Sequence, residues 1–164
     1  MKKQYIETSD GKLINLKTVT NIVFDEDWTD RFGNHKPKII YNFDYPVSLP
    51  RSDKKISDYQ YDIFKTKSQY DLKIKELEYL INEAGWIAPV INNRIDKIIN
   101  PDKVSFMTSD DNNQRIILNL CTSVSFHGDY SRLTSDFLYL NHDDYAEYIN
   151  NLSYIKEFLK GKGM

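Results

Sequence analysis

One cysteine, Cys121, is all the sequence holds in 164 residues, so it offers neither an internal disulfide nor a thiol pair. That usage fits a reducing compartment. No apolar run approaches the roughly 18 residues that a membrane-crossing helix needs. The opening Met1-Lys2-Lys3-Gln4-Tyr5-Ile6-Glu7 has lysines but no apolar stretch behind them. The expectation is a chain that stays in the cytoplasm, with no membrane partner. Glycine is sparse and scattered, at Gly11, Gly33, Gly85, Gly128, Gly161 and Gly163, whereas phosphate-binding loops need clustered glycines for close backbone approach. No nucleotide or other cofactor is therefore expected. His35, His127 and His142 stand far apart with a single thiol among them, which excludes the short Cys/His spacings of structural zinc. Neither sign of charge dominates: 22 basic and 24 acidic residues leave a formal charge of -2, so no overall field draws the chain to polyanions.

Aromatic residues are plentiful, with 12 Tyr, 8 Phe and 2 Trp, and rings must supply much of the buried or contact area. Hydrophobic residues at 40% and charged residues at 28% predict a packed core rather than disorder. The abundance of Asn, Asp, Lys, Ile and Tyr resembles coding from an AT-rich genome, such as that of a low-GC bacterium or its phages and plasmids.

Self-similarity runs through the chain. Ile14-Asn15-Leu16-Lys17-Thr18-Val19 returns 85 residues on as Ile99-Asn100-Pro101-Asp102-Lys103-Val104, with Ile6 and Lys12 finding Ile91 and Lys97 at the same distance. Ile39-Ile40-Tyr41-Asn42-Phe43 returns 77 residues on as Ile116-Ile117-Leu118-Asn119-Leu120, so the first copy carries eight extra residues between these blocks. Ser57-Asp58-Tyr59-Gln60-Tyr61 pairs with Ser135-Asp136-Phe137-Leu138-Tyr139, and Tyr70, Ile74, Leu77 and Tyr79 pair with Tyr145, Ile149, Leu152 and Tyr154. The reading is a tandem duplication, with repeat units at 1–88 and 89–164.

Within each unit the apolar spacing predicts strands and then a helix. From Ile39 to Leu49 every odd residue is apolar, the period of a half-buried strand, and Pro46 predicts a bend or an edge there. Ser9-Asp10-Gly11 predicts a hairpin turn. Tyr70, Ile74, Leu77 and Ile81 define one face of a helix that Ser68 caps and Gly85 and Pro89 stop. A second helix begins near Asp143 and Asp144 and presents Tyr145, Tyr148, Ile149, Leu152, Ile155 and Leu159. Each unit is thus an antiparallel sheet covered by a helix, an α+β arrangement, and the two units are expected to pack about a pseudo-twofold axis. The plan resembles pleckstrin-homology-like folds in architecture alone.

The polar candidates read as structural. His142 beside Asp143 and Asp144 is the best candidate for a general base, but it sits where a strand gives way to a helix and polar caps belong. His127-Gly128-Asp129 reads as a turn, and Cys121 as an inert thiol without a basic neighbour. Asp25-Glu26-Asp27 and Asp110-Asp111 lack the ligand spacing of a calcium loop and follow strands directly, as turns do. No catalytic or metal-binding residue is assigned.

The eight-residue excess falls in the stretch Asp27 to Pro37. It gathers Trp28, Arg31, Phe32 and His35, a composition typical of interface hot spots, and these four are the candidate partner-binding residues. The leading expectation is a non-enzymatic protein-binding or inhibitor protein, similar in type to anti-defence proteins of mobile elements such as anti-CRISPR proteins. The first alternative is single-stranded nucleic-acid binding through stacked tyrosines. It would use Lys36, Lys38, Arg51, Lys54, Lys55, Lys65 and Lys67, although sixteen basic against fifteen acidic residues before Ile98 do not favour it. The second alternative is an enzyme assembled from dispersed histidines and carboxylates.

Overall fold

A computed structural model describes residues 4–48, 56–120 and 137–162. The chain is α+β, with three antiparallel sheets and two helices. Strands β1 (Tyr5–Glu7) and β2 (Leu13–Asn15) form a hairpin. Strands β3 (Val19–Asp25), β4 (Lys38–Ser48) and β5 (Ile56–Ile63) lead into helix α1 (Lys67–Asn82). Strands β6 (Lys97–Ile99), β7 (Val104–Asp110), β8 (Arg115–Leu120) and β9 (Phe137–Asn141) lead into helix α2 (Tyr145–Lys162). The larger sheets run in the orders β5-β4-β3-β6 and β7-β8-β9.

The local causes match the sequence in most places. Alternation along β4 buries Ile39 and Tyr41, and along β8 it buries Ile116, Leu118 and Leu120. The ladder between β4 and β5 shifts register between Asn42 and Val47, the stretch that contains Pro46. Thr66, rather than Ser68, caps α1, its hydroxyl accepting the Gln69 N–H at 3.3 Å. Gly85, with φ +72°, takes the left-handed turn that follows the helix. At the start of α2 the Asp144 carboxylate accepts the Ala146 N–H at 3.0 Å. Cys121, the His127-Gly128-Asp129 turn and Ser135-Asp136 lie outside the described residues.

Strands β7 and β8 pair as β3 and β4 do. Val23 faces Ile40 and Thr108 faces Ile117, and each ladder slips once, between Val19 and Asn21 and between Val104 and Phe106. Ahead of β3 and β7 stand 3₁₀ turns, Leu16–Thr18 and Pro101–Lys103, each capped by an asparagine side chain, Asn15 or Asn100, accepting an amide at 3.1 Å. Two expected pairings move. Ile87 bridges Ile99 as Ile6 pairs with Ile14, whereas Ile91, which the sequence matched to Ile6, bridges Arg94. The helices match three residues further along than their apolar letters suggested. Tyr70 meets Phe64 edge-on and Tyr148 meets His142 edge-on, so Tyr148, Leu152 and Ile155 stand where Tyr70, Ile74 and Leu77 do.

Strand β6 is added to the outer edge of β3, with Ile98 opposite Ile22. Asn100 donates its N–H to Thr20 O at 2.9 Å, and Phe24 donates to Asp96 O at 2.8 Å. The two-residue period then divides the neighbours of this ladder between two apolar clusters. Ile98, Trp86 and Ala88 join Ile22, Tyr41 and Leu77, whereas Ile87 and Ile99 join Leu118, Tyr148 and Ile155. The pairing is not reciprocal: β2 pairs with β1 and not with β7. A twofold axis would require that reciprocal ladder, so the expected pseudo-twofold packing is not met at this junction.

Ile98 is fully buried, while Leu13, the residue in the matching position of β2, is 67% exposed. Ile98→Ala is therefore expected to lower stability by about 2–5 kcal/mol, and Leu13→Ala to change it by no more than about 0.5 kcal/mol. Urea denaturation of the two variants checks the contrast.

Candidate functional site

The loop between β3 and β4 is folded. Lys36 donates its N–H to Trp28 O at 2.9 Å, Asp30 donates to Asn34 O at 2.9 Å, and Thr29 bridges His35. The Asp30 carboxylate organises the tip. It accepts the Phe32 and Asn34 N–H groups, each at 2.9 Å, and pairs with the Lys36 ammonium at 3.5 Å. Gly33 adopts φ +81°, the conformation that lets the chain turn there. The Asn34 amide, ahead of the other donors, holds the Asp30 carboxyl below its ordinary value.

This architecture separates the four candidate residues. Arg31 and Phe32 stand together at the tip, the guanidinium 4.8 Å from the ring centre and the ring 75% exposed. Trp28 instead folds back onto the sheet. The Lys38 ammonium lies 4.6 Å from its ring centre and 4.4 Å from that of Tyr61, so one cation is held between two aromatic faces. His35 is exposed at the base of the loop, engaged with Thr29 through backbone.

The outer faces of the two sheets carry a motif that reading the sequence missed. Tyr59 and Tyr61 stack with centroids 4.8 Å apart beside Lys38. At the matching positions of the second sheet Phe137 and Tyr139 stack at 6.4 Å, with the Arg115 guanidinium 4.9 Å from the Tyr139 ring. The signal was available: aromatics at i and i+2 of a strand share one face, and Tyr59-Gln60-Tyr61 recurs as Phe137-Leu138-Tyr139.

His142 is buried. Its Nε2 accepts from Asn151 Nδ2 at 3.0 Å, which makes Nδ1 the protonated nitrogen and the donor to Gln114 O at 3.2 Å. Asn151 uses its second N–H on Val90 O at 2.9 Å. Both ring nitrogens are thus occupied in tying α2 to two connecting segments. Asp111 accepts from the Tyr148 hydroxyl at 2.6 Å, and Tyr148 meets the His142 ring. Burial first, and the Asp111 bond second, push that phenol up, so it stays protonated as a donor. Asp110 binds the amides of Asn112 and Asn113 as a turn residue does. Glu26 pairs with Lys67 at 3.6 Å. Among the described residues no three His, Cys, Asp or Glu side chains gather to hold a metal. A cleft of about 400 Å³ between β3 and α1 is lined by Phe24, Glu26, Ile74, Ile81, Arg94 and Ile98, without a histidine or cysteine.

Because the ionised Asp30 carboxylate is what binds the tip amides, loop order is present above its titration and lost as pH falls through it. The Phe32 and Asn34 amide resonances should shift together with a midpoint below 3.8, the ordinary aspartate value. A midpoint at or above that value would show that the loop is not held this way.

Comparison of the chain with protein-family models, curated proteins and solved structures finds no match, so its function is read from its own residues.

Proposed function

We propose that this chain is a non-enzymatic binding protein whose target is another protein, gripped by the Arg31–Phe32 tip and the adjoining Trp28–Lys38–Tyr61 face. The observation that carries this reading is a large aromatic side chain held out in solvent by a loop whose backbone is already bonded in place. An exposed phenylalanine is unfavourable in water. Fixing it in advance lowers the ordering cost of binding, which is how preorganised interface anchors gain affinity.

The same reading takes the chain as two copies of one unit, 1–88 and 89–164. Support comes from the matched registers, the matched ladder slips, the two asparagine caps and the cation over the strand tyrosine in each sheet. The partner-binding loop is then the departure from symmetry, added to the first copy alone. An inhibitor carried by a mobile element fits such a protein, which works by surface shape rather than by chemistry.

Of the candidate cations for a nucleic-acid groove, three are engaged elsewhere and Lys65 is exposed. Lys38 is 8% exposed and enclosed by two rings, and Lys36 and Lys67 sit in ion pairs. Arg51, Lys54 and Lys55 lie outside the described residues. The stacked Phe137–Tyr139 pair beside Arg115 is the feature that would serve single-stranded nucleic acid.

Affinity capture from the native host tests the proposal. Phe32→Ala should leave the fold intact and weaken binding of the captured protein by about 2 kcal/mol or more, measured by calorimetry. Equal retention by a variant carrying Arg31→Ala and Phe32→Ala would reject the tip as the contact. A salt-sensitive mobility shift with oligonucleotides, lost in Tyr139→Ala, would move the assignment to nucleic acid.

A further inference from the structure

The cleft between β3 and α1, of about 400 Å³, has the size of small-ligand pockets and is built of two unlike parts. One part is apolar. Helix α1 contributes Ile74, Leu77 and Ile81 from one face, and Phe24 and Ile98 meet them from the sheet. The other part is acidic: among the lining residues Asp25, Glu26, Asp27, Glu78 and Asp96 stand against one cation, Arg94. Asp96 takes Arg94 at 2.9 Å, and Lys67 pairs with Glu26 at 3.6 Å and Asp71 at 3.7 Å. The carboxylates of Asp25, Asp27 and Glu78 have no cation and no hydrogen-bond donor among the described residues.

Tyr70 joins the two parts. It stands one turn before Ile74 on the same face of α1, is 2% exposed, and lines the cleft with its ring edge-on to Phe64. Its hydroxyl has no hydrogen-bond partner among the described residues. Burial first, and then the charges of Glu26, Asp25, Asp71 and Asp96, push the phenol up, so it stays protonated with its oxygen toward the acidic part. A buried hydroxyl left unsatisfied is costly, and the lone pairs of this one are free to accept from a donor that enters the cleft. The carboxylates do not converge on a point, since among the described residues no three His, Cys, Asp or Glu side chains gather to hold a metal. Negative charge spread beside an apolar wall suits a cation with a hydrocarbon body rather than a bare ion.

We propose that this cleft binds a small amphiphilic amine, its hydrocarbon body against Phe24, Ile74 and Ile81 and its ammonium between Tyr70 and Asp25. The ammonium donates to the Tyr70 oxygen and to a carboxylate that otherwise has no partner, which makes the second of these a charge-assisted bond. The hydrocarbon body covers Phe24, Ile74 and Ile81, which the fold leaves only partly buried. A neutral ligand of the same shape keeps the apolar gain and forfeits the charged one, and an anion meets repulsion from the rim. The proposal is independent of the Arg31–Phe32 tip.

Calorimetric titration of the full chain with phenethylamine tests it, beside 2-phenylethanol and 3-phenylpropionate, which keep the body and change the charge. Phenethylamine should bind at one site with a dissociation constant of about 1 mM or tighter. The alcohol should bind at least about tenfold more weakly, and the carboxylate not measurably. The amide resonances of Asp25, Tyr70 and Ile74 should shift during the titration. Asp25→Asn neutralises a carboxylate without a partner and should raise the phenethylamine dissociation constant about tenfold. Tyr70→Phe keeps the ring against Phe64 and should raise it about threefold or more, with circular dichroism reporting its fold. If Tyr70→Phe does not fold, Asp25→Asn and the charge series decide the matter. The variant with Arg31→Ala and Phe32→Ala should bind phenethylamine as the unaltered chain does, which separates this proposal from partner binding. Tighter binding of lysine blocked as its N-acetyl methylamide would overturn the free amine in favour of a partner's side chain. Equal binding of 3-phenylpropionate, an affinity that Asp25→Asn leaves unchanged, or no binding of phenethylamine at about 10 mM overturns the proposal.

Discussion

The ladder of β6 on the edge of β3 is the interaction on which the rest of the structure depends. A strand shows its side chains alternately to its two sides, so a single short strand can serve two cores. Ile98 enters the first cluster and Ile99 the second, and the neighbouring segment repeats the division with Trp86 and Ile87. Units of about 80 residues bury little core alone. Sharing this ladder supplies the first cluster with Ile98, Trp86 and Ala88 from beyond its own helix. The Lys103–Asp44 ion pair, at 2.7 Å and mostly buried, adds a polar tie between the same two halves.

That ladder also sets where function is placed. With α1 covering the inner face of the first sheet and β6 holding its edge, the outer face of that sheet and the loop between β3 and β4 remain exposed for contact. The loop gains its rigidity from one carboxylate and one left-handed glycine, and its position from Trp28 gripping Lys38 on the sheet. Local order therefore holds the exposed tip in place without demanding more core.

Much of the fold was legible in the sequence, because alternation and helical spacing reflect burial directly. The strand faces of Ile39 and Tyr41 and of Ile116 and Leu118 were read correctly for that reason. The register of α2 was not. Tyr145, Tyr148, Ile149, Leu152, Tyr154, Ile155 and Leu159 surround much of that helix, so several faces satisfy an apolar pattern, and packing against the sheet chose Tyr148 and Ile155. Ile91 was misplaced by local turn chemistry. Asn92 and Asn93, with φ of 55° and 64°, close a tight turn that pairs Ile91 with Arg94 and leaves Ile87 to face Ile99. At the candidate site, Trp28, Arg31, Phe32 and His35 were visible as a cluster, but their separation was not. It depends on Lys38 lying between Trp28 and Tyr61, a contact between residues that spacing along the chain does not connect.

Amide hydrogen exchange in dilute solution tests the shared ladder most directly, because the most protected amides report the cooperative core. The account predicts that the Ile98, Asn100 and Ile22 amides exchange with the slowest class, while the amide of the exposed Leu13 exchanges fast. Exchange of the Ile98 and Asn100 amides as fast as that of Leu13, with the Leu118 amide still protected, would contradict it by showing that the halves fold without the strand they share.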